Sequence, residues 1–209
     1  MGGFFFMKIL LIHTGRVGSR ALTRALSKIC KYPSKEEPFQ LKEKSQRSKK
    51  PSLSYLKHLN SPYIVDNVIS HASVDFHIKS ISLFDKTILI TRREIKEQAI
   101  SYAHAWKYLQ DINSWHKPYT DKVSELTEEE IQEQLSILKN ANRNLNTIAN
   151  ECKLPIFYYE DLFSEDSKGL KYLFKYLDIE YKEYYRSDQI YKLNPRFRYR
   201  TFAKNKSLF

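Results

Sequence analysis

Residues 4–22 read FFFMKILLIHTGRVGSRAL, and this stretch decides the fold. Its first part, Phe4 to Ile12, is an apolar run of strand length, which is typical of a strand buried on both faces. The segment His13 to Gly18 contains two glycines, a composition that favours a tight turn. From Ser19 onward the apolar residues recur at helical spacing, and Ser19 is the expected N-cap. The stretch therefore predicts a buried strand, a glycine loop and a helix in direct succession.

A strand–loop–helix turn of this kind is suited to binding an anion, because free backbone N–H groups and the positive end of the helix dipole point to one place. Glycines in the loop allow the anion to approach the backbone closely. The arginines add positive charge, and the serine adds a hydroxyl donor. We expect a phosphate or sulfate group to be held by Thr14, Gly15, Arg16, Val17, Gly18, Ser19 and Arg20.

The ATP-binding P-loop, GxxxxGK followed by Ser or Thr, does not fit this sequence. Gly18 is followed by Ser19 instead of lysine, and no second glycine stands at the required distance before it. The lysine that reaches the β- and γ-phosphates of a triphosphate is therefore missing. A nucleotide or nucleoside kinase remains an alternative with less support.

Strands and helices alternate along the rest of the chain. Further strands are predicted at Tyr63–Ile69, Thr87–Thr91 and Leu154–Tyr159. Further helices are predicted at Val74–Phe84, Glu94–Leu109 and Gly169–Leu177. A long helix is also predicted to start with a capping box at Thr127 and Glu130 and to end at about Cys152. Residues 31–61 are predicted to be a loop with a possible short helix around Tyr55 to Leu59. This order predicts one α/β domain of three α/β/α layers with a mostly parallel central sheet, a core at about 4–180 and a basic tail at 181–209.

A second anion site is predicted after the strand TILIT. The strand ends in Arg92-Arg93, and Ser101 follows two turns into the next helix. An arginine at a strand end and a serine on the adjacent helix can converge on one phosphate, since the arginine offers two parallel N–H donors and the serine a hydroxyl.

Both sites resemble those of sulfotransferases that use 3′-phosphoadenosine 5′-phosphosulfate (PAPS). The loop Arg16-Val17-Gly18-Ser19-Arg20-Ala21-Leu22 is similar to the family's loop around the 5′-phosphosulfate, and Arg93 and Ser101 match the pair that holds the 3′-phosphate. The stretch QAISY is similar to the trehalose sulfotransferase-like branch, and residues 156–162, IFYYEDL, to a late strand of the family. The resemblance covers about residues 8–177 and implies a P-loop-like sulfotransferase fold. It also implies that PAPS is the donor, that 3′,5′-bisphosphoadenosine (PAP) is the product and that no metal ion is needed. The implied acceptor is a hydroxyl group, by resemblance that of a carbohydrate.

Within this resemblance, Arg16 matches the basic residue at the bridging oxygen of the donor. A base for the acceptor hydroxyl is also needed, and Glu37 is the first candidate, because a catalytic glutamate stands in a similar context in the trehalose branch. Glu36 lies one residue off that match. His71 is the second candidate, since it follows a strand where other branches have active-site groups. A solvated Glu-Glu pair and a structural histidine are the alternatives.

The net charge of +11 indicates an anionic partner without identifying it. A nucleic-acid-binding module is the other alternative, supported by the basic segment Lys42 to Lys57 and the basic, aromatic tail Arg196 to Lys206. The apolar start lacks a basic segment and a cleavage site, and no stretch is long enough to span a membrane. We therefore expect a cytoplasmic protein without a membrane span, whose partner is a small-molecule or carbohydrate acceptor and not nucleic acid.

Overall fold

The central element is a five-stranded sheet in which every pair of neighbouring strands is parallel. The computed structural model describes residues 7–39, 51–59, 61–112 and 125–182. The sheet has the order β2-β3-β1-β4-β5, which puts the first strand in the middle. The strands are β1 (Lys8–His13), β2 (Ser34–Glu36), β3 (Tyr63–Val68), β4 (Lys86–Thr91) and β5 (Ile156–Tyr158). Because parallel strands all end at the same edge, the loops that follow them meet there.

Helices cover both faces of the sheet and complete the α/β/α arrangement. They are α1 (Ser19–Cys30), α2 (Leu53–Lys57), α3 (Val74–Ile81), α4 (Ile95–Ile112), α5 (Glu128–Cys152), α6 (Tyr159–Leu162) and α7 (Lys168–Tyr176), with a 3₁₀ turn at Ile69–His71. Alternate residues of β1 face opposite layers. Ile9 and Leu11 pack with α1 and α7, while Leu10 and Ile12 pack with α5. This burial on both sides explains why the strand is continuously apolar, and confirms the predicted fold class.

Several predicted boundaries shift slightly. The first strand begins at Lys8 instead of Phe4, whose position lies outside the described residues. The possible short helix is α2, two residues earlier than expected and capped by the Ser52 hydroxyl. The predicted capping box of α5 is confirmed, since the Thr127 side chain accepts from the Glu130 N–H and the Glu130 side chain accepts from the Thr127 N–H.

Two local predictions are wrong. The polar segment Ser34–Glu36 is not loop but the edge strand β2, bonded to β3 on one side. Ser19 is not the N-cap of α1. Gly18 holds that position in a left-handed conformation with φ of 71°, so Ser19 is the first helical residue and its hydroxyl makes no capping bond. The left-handed glycine turns Ser19 toward β1 instead of toward the helix's own backbone.

Among the described residues, no helix is long and apolar enough to cross a membrane. Most of the basic segment from Lys42 and the whole basic tail from Arg196 lie outside the described residues.

Candidate active site

The loop between β1 and α1 is built from left-handed backbone. The φ angles of Gly15, Arg16 and Gly18 are 79°, 50° and 71°. A turn of this kind at the start of a helix suits a concave anion site, because backbone N–H groups and the helix dipole can act on one point. The first loop N–H is used internally, because Thr14 donates to the Ile90 carbonyl of β4 at 3.2 Å. This bond fixes the loop to the neighbouring strand.

One face of α4 holds this loop in place. Gln98 is fully buried, and its Nε2 donates to Thr14 Oγ1 at 2.9 Å and to the Gly15 carbonyl at 2.6 Å. The Tyr102 hydroxyl donates to the Thr14 carbonyl at 3.3 Å. Burial raises the pKa of Tyr102 to about 12, although the positive charge of Arg16 opposes the shift. Gln98 and Tyr102 are four residues apart, the spacing that puts side chains on one helix face.

The structure brings two predicted site residues from different elements together. Arg16 Nε donates to Ser101 Oγ at 3.2 Å, so the loop arginine contacts the serine of the second predicted site. Ser101 lies on α4 between Gln98 and Tyr102 in sequence. The glycine loop and the helix after β4 therefore form one continuous surface.

A buried polar group lies beneath the loop. Nδ1 of His13 accepts a hydrogen bond from the Gly15 N–H at 2.9 Å, and Nε2 lies 3.1 Å from Ser19 Oγ and 2.9 Å from Asp66 Oδ1. His13 and Asp66 are almost completely buried. Leu11 pairs with Asp66 in the sheet, so His13, two residues later, has its side chain on the same face.

The predicted base candidates lie next to this group. Glu37 has a left-handed backbone, donates its N–H to the Asp66 carbonyl at 2.7 Å, and contacts an Arg20 guanidinium nitrogen at 2.9 Å. Glu36 instead bonds to Arg24 with both carboxylate oxygens, at 2.6 and 2.9 Å. The pair Glu36–Arg24 therefore fixes β2 to α1, while Glu37 pairs with Arg20 in the first turn of that helix.

His71 is the second of these candidates and lies in the 3₁₀ turn after β3. Its Nδ1 is buried and has no hydrogen-bond partner among the described residues. Burial lowers the pKa of His71, and the nearby Glu37 carboxylate opposes that shift. The neutral, proton-accepting form of His71 is therefore favoured, and Glu37 and His71 lie within electrostatic reach of each other.

Arg93 and Ser101 each bond to another residue. The Arg93 guanidinium bonds to both carboxylate oxygens of Asp161 at 2.6 Å each, and it lies over the Tyr158 ring, 4.2 Å from its centroid. This pair raises the pKa of Arg93 and lowers the pKa of Asp161. Glu160 accepts the backbone N–H of Arg93 at 3.1 Å. The two acidic residues of the YEDL segment thus anchor Arg93, which follows the end of β4.

The sequence did not lead to a predicted role for His13, Asp66 or Gln98. The available signals were a carboxylate inside the apolar strand YIVDNVI, which must find a partner when buried, and the helical spacing of Gln98, Ser101 and Tyr102.

Two solved structures are similar to this chain over most of its length. One is a mouse sulfotransferase in complex with PAP, with 15% identity, a TM-score of 0.54 and coverage of 89% of this chain. This chain spans 62% of the length of that protein. The other is the sulfotransferase domain from the curacin biosynthetic pathway, with 14% identity, a TM-score of 0.56, and coverage of 90% of this chain and 77% of that one.

By sequence, no protein-family model and no curated protein matches the chain. The arrangement of sheet, helices and glycine loop nevertheless identifies the fold: the chain has the P-loop-like α/β fold of these sulfotransferases.

Proposed function

We propose that this chain is a sulfotransferase that moves the sulfuryl group of PAPS to a hydroxyl group, without a metal ion. The observation that carries the proposal is the left-handed glycine loop at the start of α1, with Arg16 bonded to Ser101 beside it. A loop of this shape suits a phosphosulfate, and Ser19 stands where an ATP-binding loop would have lysine. A similar fold binds PAP in the mouse protein, which supports the same donor here.

In this proposal, residues Thr14 to Arg20 hold the 5′-phosphosulfate. Arg16 stabilises the negative charge that grows on the bridging oxygen as the S–O bond breaks. That charge exists only in the transition state, so Arg16 contributes to turnover more than to binding. The sulfuryl group then passes in line to the acceptor oxygen.

Arg93 and Ser101 are proposed to hold the 3′-phosphate. Arg93 now pairs with Asp161 at the protein surface, and an exposed ion pair is weak because water screens both charges. A phosphate with two negative charges is a stronger partner for the guanidinium than a carboxylate. Donor binding would therefore replace Asp161 by the 3′-phosphate at Arg93.

The acceptor proton is proposed to go to Glu37 or His71, the two candidates next to the loop. Arg20 already neutralises Glu37 in part, whereas His71 has a buried nitrogen that can accept a proton. By resemblance to the trehalose branch, the acceptor is a carbohydrate hydroxyl. A screen of sugar hydroxyls with labelled PAPS identifies it.

The donor is tested by thermal unfolding with PAP, AMP and ATP. PAP carries a phosphate for each proposed site, so it should stabilise the chain well beyond AMP or ATP. At 100 times its dissociation constant, the gain is about 2.7 kcal/mol. Arg93→Ala should weaken PAP binding while leaving AMP binding unchanged, because AMP lacks the 3′-phosphate. Ser101→Ala should weaken PAP more than AMP, since Ser101 also bonds to Arg16 of the loop. Equal stabilisation of the wild type by PAP and AMP would remove the 3′-phosphate site.

A further inference from the structure

The imidazole of His13 contacts the anion loop at two points from below. Its Nδ1 accepts the Gly15 N–H at 2.9 Å, and its Nε2 lies 3.1 Å from Ser19 Oγ. A ring nitrogen that accepts an N–H carries no hydrogen itself, so the single hydrogen of a neutral imidazole must be on Nε2. In an imidazolium, Nδ1 would also carry a hydrogen, and two N–H donors would then face each other with no acceptor between them. The backbone of the loop therefore selects the tautomer of His13.

This tautomer decides the direction of the Ser19 hydroxyl. Because Nε2 carries the hydrogen, Ser19 Oγ can only accept from it and keeps its own hydrogen for another acceptor. Asp66 Oδ1 lies 2.9 Å from the same Nε2, but neither of its carboxylate oxygens has a hydrogen-bond partner among the described residues, so the hydrogen bond of Nε2 is the one with Ser19 Oγ. His13 and Ser19 are both buried, so water does not compete for the bond between them.

We propose that His13 is a positioning residue, which orients the Ser19 hydroxyl so that it donates to the anion bound in the loop. The inference rests on the proposed function, in which that anion is the 5′-phosphosulfate of the donor. His13 does not touch the donor; its effect passes through Ser19 and the Gly15 N–H.

The first test needs no ligand. Nitrogen-15 NMR of the wild-type imidazoles, assigned with His13→Gln, should show Nδ1 of His13 without a proton and Nε2 with one. A His13 with the proton on Nδ1, or on both nitrogens at neutral pH, would overturn the inference.

The second test is a double-mutant cycle on the affinity for PAP, measured by calorimetric titration. Ser19→Ala removes a hydroxyl donor to a charged group and should weaken PAP by about 10- to 100-fold. His13→Asn keeps an acceptor for the Gly15 N–H but loses the donor to Ser19, which leaves the hydroxyl free to turn toward Asp66. We expect a similar loss in this variant, and no further loss when both changes are combined.

Two further variants separate positioning from simple stability. His13→Gln restores a donor near the Nε2 position and should bind PAP more tightly than His13→Asn does. His77 is an equally buried histidine whose Nε2 bonds to the Ile69 carbonyl, so His77→Gln is a matched control that should change stability without changing PAP affinity. Losses that multiply in the double mutant, or a control variant that loses as much affinity as His13→Asn, would contradict the positioning role.

Failure of the proposed function would look different. If the wild-type chain does not bind PAP but binds inorganic sulfate or pyrophosphate through Ser19, the proposed donor is wrong. The same double-mutant cycle, measured with that anion, then tests the role of His13. A wild type that binds none of these anions overturns both proposals.

Discussion

Substitution of Gly15 by alanine tests how tightly the loop packs against α4. The φ of 79° at Gly15 is a conformation that costs a residue with a Cβ about 1–2 kcal/mol. A Cβ at this position would overlap the hydroxyl of Tyr102 and lie 2.7 Å from its Cζ. The ring must therefore move and lose its bond to the Thr14 carbonyl, at about 1 kcal/mol. We expect Gly15→Ala to lower the free energy of unfolding by about 2–3 kcal/mol in total.

For a chain of this size, that loss corresponds to a fall in melting temperature of about 5–10 °C. Scanning calorimetry measures it, and a PAP titration should show weaker binding, because the displaced loop no longer fits the anion. Gly18→Ala is the matched control. Its φ of 71° gives the same backbone strain, but its Cβ would lie 2.9 Å from the edge of the Phe163 ring and 3.4 Å from the Tyr159 ring, a smaller overlap than the one with Tyr102.

The difference between the two variants isolates the overlap with Tyr102. Adding Tyr102→Leu to Gly15→Ala should recover part of the loss, because leucine lacks the hydroxyl and the end of the ring. The packing argument is refuted if Gly15→Ala is as stable as Gly18→Ala, or if the added leucine makes no difference.

Three other predictions concern charge and protons. Arg16→Ala should lower kcat by about 10²–10³ with little change in PAP affinity, and Arg16→Lys should recover part of the rate in steady-state assays, because the charge survives. His71→Asn should lower kcat by about 10²–10⁴. Glu37→Gln should lower kcat by less, since Glu37 is already paired with Arg20. Wild-type activity should fall at pH values below the lowered pKa of His71, where this base is protonated. If Glu37→Gln loses more activity than His71→Asn, Glu37 is the base instead of His71. If both variants stay active, the base is another residue. Burial lowers the pKa of His77 from 6.5 to about 4, so the unfolded chain binds the proton more tightly than the folded one. About 3 kcal/mol of stability should therefore be lost as the pH falls from about 6.5 to about 4. Urea unfolding measured across this pH range should show a smaller loss for His77→Gln.

The sequence predicted those parts of the fold that local patterns encode. The apolar run of β1, the glycines after it and the capping box of α5 each act within a few residues, so their physical effect is visible in the order of residues. The edge strand β2 escaped detection because Ser34–Glu36 is polar, and only its backbone bonds to β3 make it a strand.

For the candidate site, the sequence supplied the residues but not their partners. Arg93 was predicted from its place after a strand and Ser101 from its place on the next helix. Their partners, Asp161 for Arg93 and Arg16 for Ser101, lie on chain segments far away in sequence. The contact of His13 with Asp66 likewise requires the register of β1 against β3. Such long-range pairings have no local signature, and only the assembled sheet determines them.

The central place of β1 also bears on how the chain folds as it is synthesised. Translation delivers β1 before β3 and β4, the two strands that flank it. Until they emerge, an apolar strand with unpaired backbone groups on both edges is exposed at the ribosome, a state prone to aggregation. The nascent chain should therefore depend on chaperones that hold extended apolar segments, and truncated chains that end before β4 should aggregate.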